Sequence, residues 1–327
     1  MEEKIVRCHL CRHRCVIPEG KRGLCRVREN RGGVLCTLVY ERLISRAADP
    51  IEKKPLFHFL PGSRAYSIAT MGCNFRCINC QNYEISQVPN DARPIPGEKV
   101  SPEEVVEDVE KQKCESIAYT YSEPTIFFEY AFDIARLASR EGIKNIFVTN
   151  GYITDEALEK IAPYLDAANI DLKGYSEDFY KKNCGAYLNE VTEAIKSYRR
   201  LGIWIEITTL IIPTLNDNPN ELKSLAEFIY QLGPEIPWHV SRFYPMYRLE
   251  HLPQTSLQKL QEAREIGLKV GLRYVYEGNV PGEEGESTYC PLCGKTLVKR
   301  LGYQILENLI RESKCPSCGT TIDGLWE

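Results

Sequence analysis

Met71-Gly72-Cys73-Asn74-Phe75-Arg76-Cys77-Ile78-Asn79-Cys80-Gln81-Asn82 is the stretch that decides the architecture, because its three cysteines follow one another as C-x3-C-x2-C. Three thiolates on one loop suit a single cluster. A closed structural zinc site takes four protein ligands, whereas a [4Fe-4S] cluster held by three cysteines keeps one iron open for a substrate or cofactor. The plainer alternative, a zinc loop borrowing a distant fourth ligand, fits the spacing less well. Just before the loop, Ala65-Tyr66-Ser67-Ile68-Ala69-Thr70 is β-rich. It reads as a strand delivering the loop to the carboxyl end of a sheet, where α/β proteins place their chemistry.

Beyond the loop, strand-like and helix-like stretches alternate from 65 to about 276. Ser101-Pro102-Glu103-Glu104 supplies an N-cap, a first-turn proline and acidic residues for a helix over Val105 to Cys114. Ser116 to Tyr121 reads as a strand, Ile126 to Glu141 as a helix ending at Gly142, and Lys144 to Thr149 as a strand. The pattern repeats with Thr154 to Tyr164 and Asp166 to Leu172, Leu188 to Leu201 and Ile203 to Ile212, and Asn220 to Leu232 and Trp238 to Phe243. Leu257 to Ile266 and Leu272 to Tyr276 close it. Repeated βα units of this length mean a parallel sheet with right-handed crossovers. Six to seven units fall short of an eight-fold barrel.

The 327 residues, 43% of them apolar, allow a sizeable core, and a net charge of -4 argues against wholesale nucleic-acid binding. There is neither an 18-residue apolar run nor a leader-like N-terminus, so neither a membrane span nor a secretory signal is expected, and the cytoplasm is the expected compartment. Eleven of the 14 cysteines sit in three tight groups, which in such a chain means metal and not disulfides. Cys36, Cys114 and Cys184 remain, each read as a small buried apolar residue.

The first group, Cys8, Cys11, Cys15 and Cys25, is spaced C-x2-C-x3-C-x9-C and suits a structural Zn2+, with a second iron–sulfur cluster as the rival. Residues 1–31 carry nine Lys/Arg against four Asp/Glu. This excess reads as a solvated face that also lowers the pKa of the thiols, although it could also greet phosphate. Leu35 to Ser45 reads as a strand or hairpin, and Asp49-Pro50-Ile51-Glu52-Lys53-Lys54-Pro55-Leu56 as an ordered lead-in loop. Near the C-terminus, Glu277 to Glu286 reads as a linker. After it, Cys290-Pro291-Leu292-Cys293-Gly294 and Cys315-Pro316-Ser317-Cys318-Gly319 read as a zinc ribbon, with rubredoxin-like iron as runner-up; the glycines are expected to let N–H groups face sulfur. The expected division is 1–62 for the four-cysteine metal-binding module and lead-in, 63–278 for the barrel and 279–327 for the ribbon.

The C-x3-C-x2-C loop resembles the signature of the radical S-adenosylmethionine (SAM) enzymes, and Cys-Asn-Phe-Arg-Cys with Cys-Gln-Asn-Tyr resembles the branch that activates glycyl radical enzymes. Asn79 departs from the aromatic residue that many members carry before the third cysteine. Asp49-Pro50-Ile51-Glu52-Lys53-Lys54-Pro55-Leu56 and Phe57-His58-Phe59-Leu60-Pro61-Gly62 resemble the radical SAM component of the AmmeMemoRadiSam systems. The resemblance implies a partial (β/α)6 TIM-like barrel and a [4Fe-4S] cluster on Cys73, Cys77 and Cys80 whose open iron chelates SAM. It also implies reductive cleavage to a 5′-deoxyadenosyl radical, and a ferredoxin or flavodoxin as electron donor.

Candidate cofactor-binding residues lie where strands end. In Thr120-Tyr121-Ser122-Glu123-Pro124-Thr125, Ser122 and Glu123 match the family's Gly-Gly-Glu-Pro segment, which holds the SAM ammonium, while Tyr121 and Ser122 stand where its glycine pair would be. Asn150 joins them from Val148-Thr149-Asn150-Gly151-Tyr152, where Gly151 lets the backbone approach a ligand. Asp171 and Lys173, two apart on a strand, point the same way and can pair. The resemblance implies that they contact SAM or the substrate backbone. His239 in Trp238-His239-Val240-Ser241-Arg242 resembles the late histidine near SAM, although a satisfied core histidine has the same appearance. Glu206 and Asn216-Asp217 are weaker signals, and His58 reads as a packed histidine.

The expected function is a radical SAM enzyme acting on an unidentified substrate with Memo-like and Amme-like partners. A glycyl radical activase is the alternative within the class. The alternative outside it is a non-catalytic iron–sulfur and zinc protein gripping nucleic acid through its basic N-terminus.

Overall fold

The computed structural model describes residues 4–88 and 94–326. Its centre is one eight-stranded sheet. We number the strands β1 (Ser45–Pro50), β2 (Arg64–Ala69), β3 (Ser116–Tyr119), β4 (Lys144–Thr149), β5 (Ala167–Asp171), β6 (Trp204–Ile211), β7 (Trp238–Arg242) and β8 (Val275–Gly278). From β2 to β8 neighbours run parallel in sequence order; β1 lies antiparallel outside β2. The crossover helices are α1 (Pro102–Lys111), α2 (Phe128–Arg140), α3 (Asp155–Ile161), α4 (Leu188–Arg200), α5 (Pro219–Leu232) and α6 (Leu257–Val270). Six βα units with a seventh parallel strand make a partial barrel. Its edge strands β1 and β8 do not pair with each other, so it is open.

Local chemistry explains the helix starts. Ser101 accepts the Glu104 amide while Glu104 accepts the Ser101 amide, a capping box with Pro102 behind it. Thr154 and Asn218 cap α3 and α5 through their side-chain oxygens alone, which accept first-turn amides. The strands are buried along both faces, as a helix-covered parallel sheet requires.

The sequence expectation differs in three places. Asp49 and Pro50, expected in the lead-in loop, end an edge strand, Ser45–Pro50: Arg46, Asp49 and Pro50 hide its β character, but an edge strand tolerates charge and a terminal proline. The helix expected from Ile126 begins as a 3-10 turn over Pro124–Phe127. Glu277 and Gly278, expected in a linker, belong to β8.

Both flanking modules pack on the barrel. Toward the N-terminus, Val6–Arg7 pairs with Val16–Ile17 and Arg28–Arg31 with Val34–Thr37. Arg12 bonds Asp155 and Glu190 at 3.1 Å each, Arg14 reaches Glu156, and Arg28 reaches Glu129. Several of the basic residues thus hold the module to the barrel. At the other end, Thr288–Tyr289, Thr296–Leu301 and Gln304–Asn308 form a three-stranded sheet. Leu297 and Val298 of this sheet, with Ile310 and Ile322 beyond it, pack with Phe57, Tyr274 and Tyr276 beside the open edges. Arg300, fully buried, lies 4.2 Å over the Phe57 ring and donates to Phe57 O (3.0 Å) and Thr288 Oγ1 (2.7 Å). Among the described residues no helix is long and apolar enough to cross a membrane.

Candidate active site

A cavity of about 890 Å³ opens at the carboxyl ends of the parallel strands. Cys73, Cys77 and Cys80, Ser122 and Glu123, Asn150, Asp171 and Lys173, and His239 all border it. Residues far apart in sequence are brought together because β2 to β7 end on the same side of the sheet. The C-terminal module adds Glu286, Gly302 and Tyr303 to the wall.

The cysteine loop is held from several sides. Arg76 Nη1 donates to the carbonyls of Cys73 and Phe75 (2.9 Å each) and Nη2 to that of Leu24. The Arg76 and Ile78 amides donate to the Cys184 and Asn183 carbonyls at 2.8 and 2.9 Å. Gly72 has φ +103°, and a Cβ there would stand 2.7 Å from Val27 Cγ1 and 3.0 Å from Cys25 O. Only glycine permits this contact with the N-terminal module. Burial pushes the Cys73 and Cys80 thiols up, whereas a hydrogen bond from the Cys184 thiol outweighs burial at Cys77 and lowers it.

Tyr121 occupies the first glycine position of the resembled Gly-Gly-Glu-Pro segment with φ +60°, and the Ser122 amide donates to Thr120 O at 2.7 Å across it. This is a γ-turn with a left-handed tyrosine, a costly conformation that surroundings must enforce. The lead-in loop does so. Tyr121 Oη donates to Asp49, Lys54 Nζ donates to Asp49 Oδ2 at 2.8 Å, and the ammonium lies 4.4 Å from the Tyr121 ring centroid. Asp49 is partly desolvated, yet hydrogen bonds from Lys53, Lys54 and Tyr121 bring it well below the usual carboxylate range. Burial brings Lys54 down to about 8. Neither Lys54 nor Tyr121 stands out in the sequence as a site residue, and the signal available is the doubled lysine between two prolines.

Glu123 is saturated. Its carboxylate accepts from the Thr125 amide (3.0 Å) and hydroxyl (2.6 Å), Thr149 Oγ1 (2.8 Å) and the Asn150 amide (2.9 Å), while burial raises its pKa. It therefore braces the β3 and β4 loops. Ser122 Oγ, in contrast, is buried with no partner, as is Asn79 Oδ1; both residues border the cavity. Asn150 Nδ2 donates to Asn74 Oδ1 at 2.7 Å and lies 3.8 Å from Cys73 Sγ, so it ties β4 to the cysteine loop. Gly151 was expected to admit a ligand; instead its missing Cβ admits Ile170, whose Cγ2 would stand 2.8 Å away.

Lys173 Nζ and Asp171 Oδ2 pair at 2.8 Å. Burial would lower the Lys173 pKa, but Asp171 and Cys77 together raise it well above its ordinary value, so the ammonium stays charged. His239 Nε2 lies 2.7 Å from Glu206 Oε2. Glu206 is a hub: it also accepts the amides of Phe57 (3.0 Å) and His58 (2.8 Å) and Trp204 Nε1 (3.2 Å), and these bonds outweigh burial and lower its pKa. His58 is buried between Asp323 O and Tyr276 Oη, outside the cavity wall. Asn216 caps its loop by donating to Lys173 O (2.7 Å) and accepting from the Ile212 amide (2.6 Å).

Of the other cysteine groups, Cys290, Cys293, Cys315 and Cys318 have sulfurs all within 4.8 Å, with Cys290–Cys318 at 3.6 Å and Cys293–Cys315 at 3.7 Å. A tetrahedral site with bonds of about 2.3 Å needs about 3.8 Å between sulfurs, so this group fits one metal ion. The Gly294 and Gly319 amides donate to the carbonyls of Cys290 (3.0 Å) and Cys315 (2.9 Å), while the backbone N–H groups of Leu292 and Cys293 face the Cys290 sulfur and that of Thr320 faces the Cys318 sulfur. Cys8, Cys11, Cys15 and Cys25 surround one small hollow. The expected acidification is not seen at Cys8, Cys11 or Cys25: burial pushes all three up, Cys25 to about 11, although the nearby Arg28 charge lowers Cys8 and Cys25.

Residues 67–229 match the Radical SAM superfamily. An uncharacterised protein of Methanocaldococcus jannaschii is 46% identical over 99% of this chain and 96% of its own. The pyruvate formate-lyase-activating enzyme of Clostridium pasteurianum is 25% identical over 52% of this chain and 70% of its own. In fold, a radical SAM methyltransferase from Sphaerobacter thermophilus superposes with a TM-score of 0.50 at 14% identity, covering 68% of this chain and 70% of that one.

Proposed function

Because the chain belongs to the radical SAM superfamily, a family of enzymes, we propose that Cys73, Cys77 and Cys80 hold a [4Fe-4S] cluster whose open iron receives SAM. The observation that carries this is the convergence of those thiols with Ser122, Asn150, Asp171, Lys173 and His239 on one cavity. The donor set fits the groups expected there: three thiols for three irons, and buried unpartnered Ser122 Oγ and Asn79 Oδ1 as acceptors for a ligand's ammonium or hydroxyls. The bound cluster and SAM supply reductive cleavage and a 5′-deoxyadenosyl radical for hydrogen abstraction; the chain supplies orientation and a dry enclosure.

Each residue then has a physical task. Lys173 offers a charged donor beside Cys77 for a carboxylate, and Asp171 stabilises that charge while remaining able to accept from a hydroxyl. Glu123 fixes the backbone that presents Ser122 and Asn150, and Glu206 sets the ring of His239. The substrate occupies the rest of the cavity, against Lys53, Lys54, Tyr121, Tyr244 and Tyr303.

A small molecule is the substrate class favoured by the cavity's volume and by the C-terminal module walling its mouth. The resemblance of the Asp49–Leu56 segment supports Memo-like and Amme-like partners, with a ferredoxin or flavodoxin as donor. The activating-enzyme relative favours a second reading, hydrogen abstraction from a backbone glycine of a partner protein. The test is 5′-deoxyadenosine release from SAM by anaerobically reconstituted, dithionite-reduced protein. Release by wild type and its loss in Cys77→Ala supports the proposal, and absence of release from cluster-loaded wild type overturns it. A glycyl radical on a partner protein would transfer support to the activase reading.

A further inference from the structure

The four N-terminal cysteines carry chemistry that the radical SAM site does not use. Cys8, Cys11, Cys15 and Cys25 come from two hairpins and their connecting turns, yet they surround one hollow completed by Arg28 and Asn74. Three of the four are buried, and no disulfide joins them. Such a set is built for metal, and its spacing says which kind.

In a mononuclear tetrahedral site every sulfur lies about 3.8 Å from the others. The C-terminal cysteines meet that requirement. Among the described residues they form the one group in which three or more such ligand atoms lie within 4.8 Å of one another. The N-terminal four therefore share a hollow without closing to mononuclear distances, and so do Cys73, Cys77 and Cys80. A four-iron cluster places each cysteine on a different corner of a cube, with its own inorganic sulfides in between, and so needs this wider set.

A second observation comes from the wall of the hollow. Arg28 is only 4% exposed; its Nη2 pairs with Glu129, but its Nε has no partner. Asn74 is 2% exposed and its Nδ2 is also without one. A buried guanidinium and an amide donor left unmade cost free energy unless something in the hollow accepts from them. Anionic cluster sulfur is such an acceptor, and hydrogen bonds to it are the usual means by which proteins tune these centres. Asn74 follows Cys73 directly, so one residue separates the two thiol groups.

We propose that Cys8, Cys11, Cys15 and Cys25 hold a second iron–sulfur cluster, and not zinc, against the wall of the Cys73–Cys80 loop. This site does not depend on the assigned reaction, and the test keeps the two apart. Metal and acid-labile sulfide are counted in anaerobically reconstituted wild type, in Cys73→Ala/Cys77→Ala/Cys80→Ala and in Cys11→Ser/Cys15→Ser. The expected result is one zinc per chain in all three proteins and loss of about half the iron and sulfide in each variant. In the triple variant, which can release no 5′-deoxyadenosine, the remaining iron gives a reduced-cluster electron paramagnetic resonance signal. Two zinc ions per wild-type chain, with iron falling at least tenfold in the triple variant, would overturn the proposal. Acid-labile sulfide per wild-type chain, about eight for two clusters against about four for one, decides it even where a variant folds poorly.

Discussion

Replacing Glu206 by glutamine tests whether the buried carboxylate is the joint between barrel, lead-in loop and His239. The carboxylate's two oxygens accept from two backbone amides, an indole and an imidazole. Glutamine keeps one oxygen, which can still serve the His58 amide and Trp204. Its amide group then faces the Phe57 amide and His239 Nε2. His239 can adapt by presenting its other tautomer, but the Phe57 N–H is left buried without an acceptor, at about 1–3 kcal/mol. Loss of charge assistance in the remaining bonds adds about 1 kcal/mol. The total, about 2–4 kcal/mol, corresponds to a fall in Tm of about 4–8 °C at about 2 °C per kcal/mol for a chain of this size. The folded-state pKa of Glu206 lies below its ordinary 4.5, so its stabilising contribution is full above that value and is lost as pH falls through the folded pKa. The gap between wild type and Glu206→Gln should therefore hold steady from pH 6 to 8 and narrow below about pH 4.5. Thermal unfolding followed by circular dichroism at several pH values is the assay. A drop under 1 °C at pH 7, or a gap that widens in acid, would refute the reasoning.

Asp49→Asn leaves Lys54 buried without its carboxylate and releases Tyr121, so unfolding in urea should show a loss of about 3 kcal/mol; a loss below 1 kcal/mol would mean that Tyr121 holds its left-handed turn unaided. Gly72→Ala puts a Cβ against Val27 and Cys25 at a positive φ, at about 2–4 kcal/mol, and should lower iron uptake along with stability; normal iron content would show that the two modules can part without harming the loop. Lys173→Met removes one charge-assisted donor from the cavity and should raise the KM for SAM about tenfold, with Asp171 then turned to solvent. An unchanged KM would exclude Lys173 from SAM binding.

Sequence spoke most clearly where local rules act alone. Lys144–Thr149 reads as a strand and is one to the residue, and Leu188–Arg200 falls one residue short of the expected helix. The cysteine loop and the strand-end candidates could be named because each strand of a parallel sheet delivers its carboxyl end to one side. What stayed hidden depends on long-range partners. Ser45–Pro50 pairs as a strand only because β2 offers it an edge. Tyr121 can replace a glycine only because Asp49 and Lys54 grip it from 67 or more residues away. Cys184, read as a plain buried residue, touches Cys77 because a π-helical turn over Tyr180–Cys184 brings it beneath the loop. Arg300 gives no sign in sequence that it is a buried strut between the ribbon and Phe57. Electrostatic expectations were the weakest, since counting charges in residues 1–31 cannot show which arginines are already committed.

If Cys73, Cys77 and Cys80 carry a cluster with an iron open to SAM, the reduced cluster must respond to SAM. Electron paramagnetic resonance of the reduced protein, recorded with and without SAM, tests it most directly. The expected result is a signal whose g-values shift on adding SAM, and a Cys77→Ala variant in which no component responds to SAM. A reduced wild-type spectrum that SAM leaves unchanged would contradict it.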